Sequence, residues 1–392
     1  MTQGESTMNE PRLDPQRQAR AREYARIRRR LLLLNIGLTF GGLVFVQASG
    51  LSVWLRDWLV AHGLHSPWAL VAAYVALGMT AYTLALLPLD WYEGYVLPHR
   101  FELSTQTPRG WLIDQLKSFA LSLLLGIPIA EVLYWLLRAY PTTWWIFGGM
   151  FLLFLTIVLG QLAPVLIVPL FYTLTPLDDE ELRRRIERLA QRVGVRIADV
   201  YTIDLSSRTR AANAMVMGLG RTKRIALGDT LYNEYDADEI ETILAHELGH
   251  QVHHDLELGI LVQSLLTFGG LYLAHRFLQW GVGVFGLKGV ADIAGLPLFV
   301  LAMSLFALIT MPLGNAYSRW RERLADAFAL RTTGKPEAFA RAMTRLANQN
   351  LAEADPPRWV VWLLYSHPPI RERIEAAHRF MQSESTVQGE PT

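Results

Sequence analysis

Ile240-Glu241-Thr242-Ile243-Leu244-Ala245-His246-Glu247-Leu248-Gly249-His250 is the stretch from which the rest of the chain can be read. If 240–254 is helical, His246 and His250 lie one turn apart on one face, where two imidazoles can converge on one cation, and Glu247 projects beside them. Two neutral histidines can hold Zn²⁺ while the carboxylate takes a proton from a water that the metal activates, which is the chemistry of a zinc hydrolase. The plain alternative is a surface helix that happens to carry two histidines. Against it stand the helical spacing of Glu239, Glu241, Leu244 and Leu248 and a candidate third ligand downstream.

Working outward toward the C-terminus, Leu256 to Leu278 and Leu296 to Leu313 are apolar and long enough to cross a bilayer. A Gly-rich loop, Gly281 to Gly295, joins them on the far side, so Tyr317 returns to the side of the motif. Toward the N-terminus, Asp178 to Arg192 alternates charge with apolar residues at helical spacing, and Val200 to Ile203 and Arg224 to Leu227 read as short strands. Between the strands lies Asn213-Ala214-Met215-Val216-Met217-Gly218. Four more spans precede this region: Leu31 to Val53, Trp68 to Leu89, Phe119 to Leu137 and Trp144 to Phe171. Tyr140, Trp144 and Trp145 suit an interfacial aromatic belt. Arg20, Arg22, Arg26, Arg28, Arg29 and Arg30 stand directly before the first span, which by the positive-inside rule puts the N-terminus in the cytosol. No small-residue cleavage site follows, so this span is expected to be retained. Met1 to Gln18 and Gln382 to Thr392 are polar and expected to be disordered.

Composition agrees with a membrane protein: 51% of the 392 residues are hydrophobic and mean hydropathy is +0.20. A net charge of +1 gives no global field for nucleic acid, and no nucleic-acid-binding motif is present. There is no cysteine, so a zinc site must be built from histidine and carboxylate.

The candidate third ligand is in Arg319-Trp320-Arg321-Glu322-Arg323-Leu324-Ala325-Asp326-Ala327, after the last span. Glu322 and Asp326 are one helical turn apart, so one can bind metal while the other hydrogen-bonds a ligating imidazole. An ordinary charged helix face would show the same spacing. His253 competes for the ligand role, but a rise of about 10.5 Å from His246 is too far for both rings to reach one ion on a straight helix. His253 and His254 are expected to be satisfied polar residues near the membrane. Ionisable groups within apolar runs suggest function by default, but for His275 and Glu131 a water-facing or end-of-span position is the expectation.

Further motifs occur in a fixed order: Tyr92-Glu93-Gly94-Tyr95-Val96-Leu97-Pro98-His99-Arg100-Phe101 with Gln106-Thr107, Asn213-Ala214, Arg224 to Leu231, the histidine helix, Glu322 to Ala329, and Ser366-His367-Pro368-Pro369 with Glu372-Arg373. Together they resemble the integral-membrane CAAX prenyl protease type 1 family of zinc metallopeptidases, up to about Ala377. The resemblance implies one Zn²⁺ per chain on His246, His250 and Glu322, with Glu247 as general base and Asp326 steadying a ligand from behind. It implies that Asn213 and Ala214 pair with the substrate backbone, and that His367 and Arg373 steady the oxyanion. The implied substrate is the C-terminal end of a prenylated peptide or protein. Six spans are counted where the best-known members have seven, and the loop before the histidine helix is short.

The expected architecture is therefore mainly α: a polytopic α-helical membrane protein of about six spans with a cytosolic zinc-metallopeptidase domain containing a small β-sheet. Its parts are a cytosolic tail (1–30), four spans (31–173), a first catalytic segment (174–255), a two-span hairpin (256–314), a second catalytic segment (315–381) and a tail (382–392). N-terminus, C-terminus and active site face the cytosol. Two other readings are a membrane quality-control metalloprotease of the HtpX type and a non-catalytic membrane scaffold with structural zinc. Structural zinc is usually closed by four protein ligands, and only three are found here. A transporter would carry its ligands near mid-membrane, not outside the spans.

Overall fold

The computed structural model describes residues 12–218, 220 and 223–388. Helix α1 (Pro15–Ala48) is followed by the short α2 (Leu51–Ala61) and by α3 (Pro67–Trp91), which runs through a π-helical turn into α4 (Leu97–Arg100). Then come α5 (Pro108–Ala139), α6 (Trp144–Leu162) and α7 (Val168–Phe171). The region that carries the histidine motif opens with β1 (Leu174–Pro176), α8 (Glu180–Arg192), β2 (Asp199–Ile203), β3 (Ala214–Met217), β4 (Arg224–Gly228), α9 (Asp229–Tyr232) and α10 (Ala237–Val252). It is completed by α11 (Asp255–Val284), α12 (Leu296–Thr333), α13 (Pro336–Gln349), α14 (Arg358–Leu364) and α15 (Ile370–Gln388). Among the described residues, six helical stretches are long and apolar enough to cross a membrane: Pro15–Ala48, Pro67–Arg100, Pro108–Ala139, Trp144–Phe171, Asp255–Val284 and Ile293–Thr333.

The sheet has the order β1-β2-β4-β3, with β2 and β4 parallel and the outer pairs antiparallel. It packs with α8, α10, α13 and α15 around a core that includes Ile186, Leu189, Ile225, Leu227, Leu244, Leu248 and Phe339. β3 pairs with β4 in the register Ala214↔Leu227 and lies at the sheet edge. The membrane helices have their own core, in which Tyr134, Leu137, Trp144, Leu271, Leu278 and Ala302 meet. There a Cβ on Gly149 would come within 2.2 Å of the Phe268 ring. This close approach of α6 and α11 depends on a residue without a side chain, a common device where membrane helices pack.

Several expectations are corrected. Gln18, placed in a disordered tail, is a buried residue of α1. Its amide donates to Ala352 O at 3.1 Å and its Oε1 accepts from Ala354 N at 3.0 Å. Arg29 pairs with Glu353 at 2.8 Å, so the N-terminal helix is clasped by the loop after α13. Polar composition hid this because the partners lie more than 320 residues away. The expected C-terminal tail begins as helix, since α15 reaches Gln388; Met1 to Pro11 and 389–392 lie outside the described residues. The first span ends at Ala48, and Gly50 takes φ +78°, a left-handed conformation that turns the chain into α2. Arg56, read as part of a link, is a buried residue of α2 paired with Asp292 from the loop before α12. His275 does not face water: it is buried, and Trp144 Nε1 donates to its Nδ1 at 3.1 Å. Glu131 is partly buried.

The segment 92–107 joins the membrane part to the sheet. The ring nitrogens of His99 contact Tyr95 O at 2.6 Å and Gln106 O at 2.9 Å. Beyond it, Thr105 N donates to Arg208 O at 3.1 Å, and Arg208 Nε donates to Asp114 at 2.8 Å. These contacts fix the β2–β3 connection, and with it β3, against α5.

Candidate metal centre

The histidine helix α10 starts where the sequence supplies a reciprocal cap. Asp236 accepts from Asp238 N and Glu239 N, while the Glu239 side chain accepts from Asp236 N at 3.0 Å. Its end is set by His254 at φ +55°, which turns the chain directly into α11. Gly249, between the two histidines, faces α12: an added Cβ would lie 3.1 Å from Phe328 Cδ1 and 3.3 Å from Ala325 Cα. The missing side chain lets α12 approach closely enough for Glu322 to meet both imidazoles.

His246 Nε2 and His250 Nε2 are 3.2 Å apart. Glu322 places Oε2 3.3 Å from His246 Nε2 and Oε1 3.5 Å from His250 Nε2. Tetrahedral Zn²⁺ with bonds of about 2.0–2.1 Å separates its ligand atoms by about 3.3 Å, so the three groups fit one ion. Glu322 Oε2 is buried and has no well-formed hydrogen bond beyond its 3.3 Å approach to His246 Nε2, an acceptor that a cation would satisfy. Burial pulls the His246 pKa down, but hydrogen bonds to Asp326 and Glu322 outweigh it and raise it to about 9. The surroundings therefore favour positive charge at this point.

Both imidazoles are oriented from behind. His246 Nδ1 is 2.9 Å from Asp326 Oδ1, and His250 Nδ1 is 2.7 Å from Asp255 Oδ2. With Nδ1 engaged by a carboxylate, each ring presents Nε2 to the other ring and to Glu322. Sequence reasoning named Asp326 and missed Asp255. On one unbroken helix Asp255 would point away from His250, and only the left-handed turn at His254 brings it back. Arg321 clamps Asp255 in turn and also donates to His253 O at 2.8 Å. His253 is not at the centre: its ring packs edge-on against Phe328, and its Nδ1 has no partner.

A cavity of about 680 Å³ opens beside these groups, lined by Asn213, Ala214, His246, Glu247, His367 and Arg373 among others. Glu247 is partly buried, and desolvation raises its pKa. A carboxylate made more basic in this way is suited to take a proton near neutral pH. Asn350 holds the approach to β3 by accepting from Ala212 N at 2.9 Å and donating to Ala212 O at 3.1 Å. His367 Nε2 lies 3.2 Å from Glu322 Oε1, and desolvation lowers its pKa, favouring the neutral ring. Arg373 is buried; its Nε donates to Asp326 Oδ2 at 2.9 Å and its Nη2 to Asp326 Oδ1 at 2.6 Å. It thus holds the carboxylate that orients His246, a connection spacing could not show. All nine predicted site residues meet at this centre or on the cavity wall beside it.

The profile of Peptidase family M48 matches residues 176–380. A second profile, the CAAX prenyl protease N-terminal region with five membrane helices, matches 7–173. Among the described residues of that region, four helices are long and apolar enough to span, together with the short α2. An uncharacterized metalloprotease, YhfN of Bacillus subtilis, is 32% identical over 94% of this chain and 87% of its own length. CAAX prenyl protease 1 of Saccharomyces cerevisiae is 33% identical over 75% of this chain and 69% of its own. The crystal structure of S. mikatae Ste24p superposes with a TM-score of 0.84 at 26% identity, covering 95% of this chain and 92% of that one.

Proposed function

The chain belongs to peptidase family M48 and is a multi-pass membrane metalloprotease resembling the CAAX prenyl proteases, and we propose that His246, His250 and Glu322 hold one zinc ion beside Glu247 as the general base. One observation carries this reading: two Nε2 atoms and a carboxylate converge at the edge lengths of a metal tetrahedron, on the wall of a cavity that Glu247 also lines.

When bound, the metal supplies Lewis acidity, polarising the scissile carbonyl and lowering the pKa of the attacking water. Glu247 takes the proton from that water, holds it on its carboxylate and returns it to the leaving amine. Asp326 and Asp255 keep the Nε2 atoms forward. His367 and Arg373 line the cavity next to the ligands and serve as donors to the oxyanion. The free edge of β3, preceded by Asn213, accepts the extended substrate as an added strand.

The substrate is a peptide or protein, and the kinship to CAAX prenyl proteases favours a prenylated C-terminal segment. The matched N-terminal region, including 92–107, favours this over quality-control proteolysis of the HtpX type. The arginines before the first span put the catalytic side in the cytosol. Glu247→Gln tests the mechanism: the purified variant should retain zinc and fold yet lose cleavage, and full activity would sink it. A farnesylated peptide and its unmodified twin test the substrate class, with equal rates counting against prenyl recognition.

A further inference from the structure

Helix α14, Arg358-Trp359-Val360-Val361-Trp362-Leu363-Leu364, lies within the segment that carries His367 and Arg373, yet six of its seven residues, all but Arg358, are Val, Leu or Trp. Val360 is buried, and Val360 and Leu364 line the catalytic cavity. Trp359 and Trp362, three positions apart and so on one face, are 60% and 59% exposed.

Two helices fix the level at which this face lies. On α1, Leu32 lines the same cavity as Val360 and Leu364, and Leu33 and Leu34 directly after it are exposed residues of the first span. Arg28, Arg29 and Arg30 come immediately before, so this is where α1 passes from polar to apolar surroundings. On α12, Ile309 and Leu313 are exposed residues of the last span. Two positions beyond Leu313, Asn315 Nδ2 donates to Leu363 O at 2.6 Å. One turn further, Arg319 Nη1 donates to Val361 O at 2.9 Å and to Tyr365 O at 2.5 Å. Two carbonyls in the last turn of α14, those of Val361 and Leu363, and that of Tyr365 just after it, which a helix end ordinarily leaves to water, are thus satisfied by protein side chains. Backbone at the margin of a bilayer needs that.

We propose that α14 is an interfacial element of the catalytic region, with Trp359 and Trp362 seated in the headgroup layer of the bilayer. Tryptophan favours this layer because its ring is apolar and its N–H can still reach water or headgroups. Val360 and Leu364 of the same helix wall the cavity, so that wall of the cavity lies at the level of the bilayer surface. Given the protease reading above, a scissile bond close to a membrane anchor would be presented there; the position of α14 itself does not depend on that reading.

The absence of cysteine makes the test direct. The full chain, as Trp359→Cys or Trp362→Cys, is nitroxide-labelled in lipid nanodiscs, and collisions with oxygen and with a water-soluble nickel chelate are compared. Labels at both positions should favour oxygen, while a label at the exposed Asp355 should favour the chelate. Chelate-dominated collisions at 359 and 362 would overturn the proposal, as would shielding from both reagents, which would point to a protein partner or second copy. In the unsubstituted chain, a phospholipid with a carbene precursor near its headgroup should label the tryptic peptide 359–371. Failure to label it, while the spans are labelled, would equally overturn the proposal.

Discussion

His250 Nδ1 lies 2.7 Å from Asp255 Oδ2, and Asp255 is clamped by Arg321, one residue before Glu322 on α12. One of the two converging imidazoles is therefore oriented by a carboxylate on α11, and that carboxylate is held by the helix that carries Glu322. Both ends of the two-span hairpin contribute to a single centre.

Asp255→Asn should leave the protein folded and weaken zinc binding by about 10- to 100-fold, the usual cost of losing such a supporting group. Competition with a chelator measures it, and unchanged affinity would mean that Asp255 does not orient His250.

His367 and Arg373 should separate when each is replaced. His367 is 60% exposed in its side chain and touches Glu322 through a single contact of 3.2 Å, whereas Arg373 is buried against Asp326. His367→Ala should keep its metal and lose about 10²- to 10³-fold in kcat with a smaller change in KM. Arg373→Met removes the two-pronged hold on buried Asp326, so it should lose metal affinity and stability as well as rate. Steady-state kinetics beside metal analysis of both variants checks the contrast.

The outer face of the histidine helix carries its own ion cluster. Glu241 accepts from Arg185 Nε at 2.9 Å and from Lys335 at 2.7 Å. Burial pushes its carboxyl up, but the hydrogen bonds from Lys335 and Arg185 prevail and hold it below the usual range. A carboxylate with a depressed folded pKa adds stability above its unfolded pKa of about 4.3 and loses it as pH falls through the folded value. Glu241→Gln should therefore cost about 1–3 kcal/mol at pH 7, with the difference from the parent closing below about pH 4. Thermal unfolding across pH reads this directly, and a pH-independent difference would contradict it.

The convergence of His246, His250 and Glu322 was legible because helical spacing carries it. His246 and His250 are four apart on a helix with a sequence-encoded cap, and Glu322 and Asp326 are four apart on another. The long apolar blocks marked the spans for a similarly local reason. What stayed hidden depends on turns and distant partners. Asp255 reaches His250 only through the left-handed residue His254, and Gln18 looks like tail until Ala352 and Ala354 are beside it. Arg56 looks like linker until Asp292 is found, and α14 is too short for its apolar run to be read as a membrane contact. That Glu322, Asp326 and the last span share one unbroken 38-residue helix was also not evident from their separate motifs.

Zinc K-edge X-ray absorption on the purified full chain tests the central claim most directly. The expected result is one zinc per chain with a shell of nitrogen and oxygen donors at about 2.0–2.1 Å, including the outer scattering of two imidazoles, which changes in Glu322→Gln. A chain that binds no zinc, or whose shell lacks imidazole or is unaltered by Glu322→Gln, would contradict the assignment of His246, His250 and Glu322 as the metal centre.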